Sequence, residues 1–300
     1  MTLPFYPALF LLAALWGGSF LFMRVASPVL GPVWLIALRV LIAGLVVLPL
    51  LARRGRFTEF REHWRALFLI GCLNAGLPFT LMAYATLELT AGMTSILNAT
   101  VPIFAALVGA LVYAEPMTGR RAGGVALGFA GVVVLVGLPQ NGGPLPLLPV
   151  VAGLAAALLY VVGANQAKRR LAGISAATFV SGTQLGAALM LAPLLPLFPP
   201  YAAPDAVTVA ALLALAILST ALAFLIYFRL IHEAGPTRTL TVTYLIPLFA
   251  ILWGALLLDE SLTWPMLAGG GLVLLGVALA NGGRPVALGA AAASVRSGDR

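Results

Sequence analysis

Charge is scarce in this chain. Of its 300 residues 9% are charged, against about a quarter in an ordinary soluble domain. With 62% hydrophobic residues and a mean hydropathy of +1.07, there is more apolar surface than a soluble fold of this length can hide, and lipid is the expected solvent. Cysteine is nearly absent. Cys72 stands alone, which excludes an internal disulfide and a cysteine zinc cluster; inside an apolar run it reads as a small packing residue. Lys168 is the only lysine, and this arginine bias, with plentiful Ala and Gly, points to a bacterial genome of high GC content. No Lys or Arg precedes the first apolar run, so the N-terminus lacks the basic opening of a signal peptide and is read as a spanning helix.

Other absences exclude functions. No Asp or Glu falls in the middle of an apolar run, where a proton-driven carrier keeps its relay, so facilitated diffusion or exchange is expected rather than proton antiport. No phosphate-binding loop supports ATP-driven pumping. His63 and His232 are too far apart to form a metal site by spacing, and no cluster of His, Cys or acids at depth supplies an enzyme's chemistry. No cofactor and no metal is expected. The net charge of +8 comes in short clusters between apolar runs, which argues against a nucleic-acid partner. The expected partners are a small-molecule substrate and the bilayer, with the chain a monomer or weak homodimer.

Ten runs are long enough to cross a bilayer, at about 20 apolar residues each: 6–26, 31–52, 65–86, 92–113, 120–138, 148–168, 174–197, 207–231, 238–258 and 264–281. They are continuously apolar rather than alternating, which favours helices over a barrel. Breakers such as Gly31-Pro32, Pro199-Pro200 and Gly235-Pro236 mark the links. Of the 17 basic residues, all but Arg24 and Arg39 fall in alternate links or the tail. Lys/Arg-rich links stay in the cytoplasm, so both termini are expected inside, in a bacterial inner membrane.

What the chain has in place of charge is repetition. Pro102-Ile103-Phe104-Ala105, with Glu115 and Thr118 behind it, returns 145 residues later as Pro247-Leu248-Phe249-Ala250, Glu260 and Thr263. Gly124 and Gly131 return as Gly269 and Gly276. Five spans per unit is an odd number, so the second unit enters from the other side. The expected fold is all-α integral membrane: ten transmembrane helices as two inverted five-helix repeats, 5–138 and 148–282, joined by a periplasmic linker at 139–147 and ending in a disordered cytoplasmic tail, 283–300. Inverted repeats exchange conformations around a central site.

The chain resembles the drug/metabolite transporter superfamily, in particular its EamA-type ten-helix members. The resemblance covers about residues 5–282. It rests on Trp16-Gly17-Gly18-Ser19-Phe20, Arg39, Tyr84-Ala85, Ala91-Gly92 and the duplicated Pro…Glu…Thr blocks. It implies a central cavity lined by the first, third, fourth, sixth, eighth and ninth spans, with the fifth and tenth peripheral. Among functional types it is similar to the YddG-like exporters of aromatic and other neutral amino acids. Exporters of drugs or other metabolites share the fold and remain alternatives; a membrane-embedded enzyme is a third.

The candidate substrate-binding residues are Trp16, Ser19, Arg39, Asn74, Tyr84, Asn98, Tyr160, Gln184, Tyr227, Thr241 and Tyr244. Arg39 is the one basic residue well inside a span. An arginine at that depth faces a cavity or a partner, here a substrate carboxylate or backbone carbonyls; its counterpart 145 residues on is Gln184. Trp16 (matched by Tyr160), Tyr84, Tyr227 and Tyr244 can stack on an apolar solute and offer hydroxyl or indole hydrogen bonds. Trp34, Trp64 and Trp264 fit an interfacial belt. Ser19, Asn74, Asn98, Thr220 and Thr241 add uncharged polarity, or hold helices together. Pro102 and Pro247 are candidate kinks or gating points, freeing the carbonyls of Asn98 and Thr243. Glu115 and Glu260 are expected in turns near the interface, with Thr118 and Thr263 capping the next helices.

Overall fold

The helix that opens the chain is too long for one span. α1 (Phe5–Arg53) has 49 residues, about 70 Å at 1.5 Å each, against a hydrocarbon core of about 30 Å. It breaks at Gly31, whose φ of 71° and ψ of 154° suit a residue without Cβ. Arg39 Nη1 lies 3.8 Å from Met23 Sδ, sixteen positions back, so the two arms form a hairpin. The turn is held from outside: the N–H groups of Tyr201 and Ala202 both donate to the Val29 carbonyl at 3.0 Å. Pro32 then opens the second arm where a missing N–H costs nothing.

The computed structural model describes residues 3–53, 56–138 and 145–281. Among them there is no strand. Seven helices are long and apolar enough to cross a membrane: α1, α2 (Phe57–Ala85), α3 (Ala91–Tyr113), α4 (Gly119–Gly137), α5 (Leu147–Arg170), α6 (Ala176–Leu197) and α7 (Ala206–Ala234). Two shorter apolar helices follow, α8 (Val242–Leu257) and α9 (Trp264–Ala280). The expected linker falls mostly, and the expected tail wholly, outside the described residues.

Several boundaries differ from expectation for local reasons. The first two expected spans are one stretch parted only at Gly31. α2 starts eight residues before the third expected span, because Glu59 in its first turn accepts from Ser175 N–H at 2.8 Å and from the hydroxyls of Ser175 and Thr178. That contact caps α6 and draws the basic links around Arg61 and around Lys168 to one end. α2 widens into a π-turn at Cys72–Gly76, and α7 does so at Ala214–Leu222. α3 pauses at Ala99–Thr100, just before Pro102. The pause in the ninth expected span falls earlier than Pro247, at Leu240–Thr241, after a short turn Pro236–Thr239. There the hydroxyls of Thr241 and Thr243 bond back to the carbonyls of Arg238 and Leu240 at 2.7 and 2.8 Å, competing with the helix.

α4 and α9 make the tightest seam. A Cβ on Gly124 would lie 2.3 Å from Ala280 N, and one on Gly276 would lie 2.4 Å from Gly128 N. A Cβ on Gly131 would sit 2.7 Å from Gly269 O, and the reverse distance is also 2.7 Å. Low residue numbers on one helix meet high ones on the other, so the pair is antiparallel. Each glycine meets the repeat counterpart of the other: Gly124 meets Gly276, Gly131 meets Gly269. A two-fold axis between like surfaces produces that cross-pairing. Small residues let backbones touch where no hydrophobic force drives helices together.

Candidate functional site

Where the remaining helices cross they leave a cavity of about 260 Å³. Both arms of α1 and helices α2, α3, α5, α6, α7 and α8 contribute to its wall; α4 and α9 do not. Of the sequence candidates, Trp16, Ser19, Arg39, Asn74, Asn98, Pro102, Tyr160, Tyr227 and Pro247 line it.

Arg39 sits in the second arm of α1, 3% exposed. Its Nε donates to Thr220 Oγ1 at 2.9 Å. Its guanidinium lies 3.8 Å from the centroid of the Phe79 ring, a cation–π contact. The π-turn in α7 presents the Thr220 hydroxyl, which itself donates to the Leu215 carbonyl five residues back at 2.8 Å. Among the described residues no carboxylate pairs with Arg39, and no acid lines the cavity. Its charge is therefore held by a hydroxyl, a ring and the Met23 thioether, with donors left over.

Aromatic rings share the rest of the wall with aliphatic side chains such as Met23, Met82 and Ile246. Trp16 meets Tyr227 at 5.1 Å and Phe224 edge-on at 5.9 Å; Phe79 meets Tyr160 at 6.0 Å. Asn74 reaches the wall from the π-turn of α2, packed against Gly163 of α5. Asn98 and Thr243, four residues before Pro102 and Pro247, both line the cavity. Pro247 lies inside its helix, whereas Pro102 sits in the first turn after the α3 pause and is not the mid-helix kink expected.

Four candidates lie elsewhere. Tyr244 is about 100° around α8 from Thr243; its hydroxyl accepts from Asn281 Nδ2 at 3.0 Å, and it packs against the core between α3, α4 and α9. Thr241 is exposed and donates to the Arg238 carbonyl. Gln184 is 2% exposed in α6, its Oε1 without a hydrogen-bond partner. Tyr84 is half-buried near the opposite end of α2. Phe79, Phe224 and Phe228 line the cavity unforeseen. The second and third had a signal: with Tyr227 they fall at i, i+3 and i+4, one helix face. Phe79 had none, since the π-turn before it shifts the helical register.

At the two ends, the repeated glutamates share a backbone and differ in partners. Ala114 and Asp259 both have φ of 52°, and the N–H of Glu115 and Glu260 returns to the carbonyl of Gly109 and Gly254, at 3.0 and 3.1 Å. Thr118 and Thr263 cap α4 and α9. Glu115 is half exposed, paired with Arg121 at 3.1 Å. Glu260 is more enclosed: both its oxygens accept from Ala91 N–H at 3.0 Å, and Arg24 Nε is 3.7 Å away. Burial pushes the Glu260 carboxyl above the usual carboxylate range, against the pull of Ala91 N–H and Arg24.

An all-helical membrane protein whose helices enclose a polar and aromatic chamber has the build of a transporter. The chain belongs to the EamA-like transporter family, which matches it twice, over residues 4–137 and 147–282, within the drug/metabolite transporter superfamily. It is similar to Protein PecM of Dickeya dadantii, 29% identical over 211 residues and 69% of each chain. An uncharacterized transporter of Archaeoglobus fulgidus is 30% identical over 280 residues, 88% of this chain and 93% of that one. The "Probable amino-acid metabolite efflux pump" of Escherichia coli is 25% identical over 290 residues, 89% of this chain and 91% of that one. A solved crystal structure shares the fold, with a TM-score of 0.66 at 20% identity over 91% of this chain and 94% of that one. Family and relatives point to a transporter rather than an enzyme.

Proposed function

We propose that this chain exports small neutral or zwitterionic metabolites, aromatic and other neutral amino acids foremost, by alternating access of two inverted five-span repeats and without proton coupling. The observation that carries the reading is Arg39: one buried cation with no carboxylate partner among the described residues, on the wall of an aromatic chamber that no acid lines. A substrate carboxylate completes its hydrogen bonds. The ammonium group of an amino acid finds acceptors in the amides of Asn74 and Asn98 and in the carbonyls beside Pro102 and Pro247. The rings of Trp16, Phe79, Tyr160, Phe224 and Tyr227 suit an apolar side chain.

Ten spans follow if α1 counts twice and α8 and α9 cross despite their 16 and 17 residues. The cross-paired glycines of α4 and α9 support the inversion. The Glu59–Ser175 contact, which brings two basic links to one end, supports a cytoplasmic face there and both termini inside the bacterial inner membrane. The amino-acid efflux named for the Escherichia coli relative favours the cargo.

Purified protein in liposomes tests this. Labelled phenylalanine or another neutral amino acid should move down its gradient with no pH difference, saturably, and should exchange with unlabelled substrate across the membrane. A strict requirement for a pH gradient removes the uncoupled mechanism. Transport of amphipathic cations in place of amino acids moves the chain to the drug exporters.

A further inference from the structure

The two ends of the cavity are built from the same parts, assembled at one end and apart at the other. At the end away from the basic links, Arg24 Nη1 donates to the carbonyls of Thr86 and Leu87 at 2.7 Å each, and Arg24 Nε faces Glu260. Glu260 in turn holds the first N–H of α3, at Ala91. One ion pair and four hydrogen bonds therefore tie α1, the α2–α3 link and the α8–α9 link together. At that end the cavity wall stops at Met23, Met82 and Ser95, beneath the clamp, and no residue of the clamp itself lines it. The lining runs the other way, through Ala164 and Ala167 to Leu171, Ile174 and Leu240, beside Lys168 and Arg238. The chamber reaches toward the basic end.

The repeat supplies each part of the clamp with a counterpart there. The offset that lays Trp16 on Tyr160 lays Arg24 on Lys168. The offset that lays Glu260 on Glu115 lays Ala91 and Gly92 on Pro236 and Thr237. Arg169 covers the Tyr113 ring at 4.8 Å, so the end of α5 and the Glu115 turn are already neighbours. Glu115 nonetheless pairs with Arg121 of its own segment.

We infer that Glu115, Lys168 and the Pro236–Thr239 turn form an inner gate, closed only when the Arg24–Glu260–Ala91 clamp opens. Pro236 has no N–H, so Glu115 takes its backbone donors one and two residues further on. The structure is then the inward-facing state, its outer gate made and its inner gate unmade. The inference rests on the inverted-repeat reading above.

Accessibility of the chamber tests it without any substrate. In a Cys72→Ser background, Ala164→Cys on the chamber wall is labelled with a membrane-impermeant maleimide applied at the cytoplasmic face. Losing the charge-assisted contacts of one gate should shift the two states by roughly tenfold. Glu260→Ala and Arg24→Ala should slow labelling, because the inward-facing state loses its clamp. Glu115→Ala and Lys168→Ala should speed it, because the competing outward-facing state loses its own. A purely local capping role would not give opposite signs from matched residues. Unchanged or slowed labelling in both Glu115→Ala and Lys168→Ala overturns the gate. Labelling of Ala164→Cys from the outer face alone overturns the topology, and the gate with it. A silent flux assay beside opposite-signed labelling would fault the cargo and leave the gate standing.

Discussion

The α4–α9 seam and the cavity are built from the same two repeats and solve opposite problems. In the seam, counterpart glycines press backbone on backbone, and the repeat keeps the contact positions Gly124/Gly269 and Gly131/Gly276. Around the cavity the halves diverge: Trp16 corresponds to Tyr160, Arg39 corresponds to Gln184, whose Oε1 has no hydrogen-bond partner, and the helix pause shifts between α3 and α8. A seam on a symmetry axis needs matching surfaces. A chamber that takes the proposed asymmetric solute needs different groups on its two sides, so on that proposal symmetry survives where it packs and lapses where it would bind.

The largest effect should come from breaking the seam. Gly276→Leu puts a side chain where even a Cβ lies 2.4 Å from Gly128 N; backbone cannot yield as a flexible side chain does. The expected cost is at least about 3 kcal/mol, seen as loss of the monodisperse peak in detergent chromatography. Gly271→Leu is the control, since a Cβ there meets nothing within 4 Å, and it should fold normally.

Next comes the chamber. Arg39→Met keeps the aliphatic bulk and removes the charge; amino-acid flux should fall about tenfold or more, the scale of a lost charge-assisted contact, while thermal stability holds or rises. Trp16→Ala should impair aromatic cargo more than small neutral cargo. Retained discrimination between phenylalanine and alanine in that variant would remove Trp16 from the site.

The legible parts of the fold were those fixed by lipid and by duplication. Continuous apolar runs announce helices, Gly31-Pro32 announces a break, and the repeated Glu and Thr announce matching turns with capped helices, which Thr118 and Thr263 provide. Register inside a helix was harder to read. A π-turn at Cys72–Gly76 and a pause at Leu240–Thr241 rotate everything beyond them, so Phe79 joins the chamber while Tyr244 turns toward Asn281. Neither irregularity has a marker as plain as Gly31 at positive φ with Pro32 behind it; at the pause, the hydroxyls of Thr241 and Thr243 compete for backbone partners. For Arg39, the sequence showed a lone buried cation but not that Thr220 and Phe79, from two other helices, would support it.

The smallest effect separates the two regions most finely. Tyr244 and Tyr227 are both buried-facing tyrosines of the second repeat, yet one hydroxyl meets Asn281 at the seam side and the other ring stacks on Trp16 in the chamber. Tyr244→Phe should cost about 1 kcal/mol of stability, one hydrogen bond, and leave transport rates unchanged. Tyr227→Phe keeps the ring contact and should leave stability within about 0.5 kcal/mol, while raising the KM for any substrate that uses the hydroxyl. Melting temperatures and flux kinetics on the same two preparations check both halves. If Tyr244→Phe changed KM and left melting untouched, seam and chamber would not be separate regions, and the division of labour between symmetric packing and asymmetric binding would fail at its border.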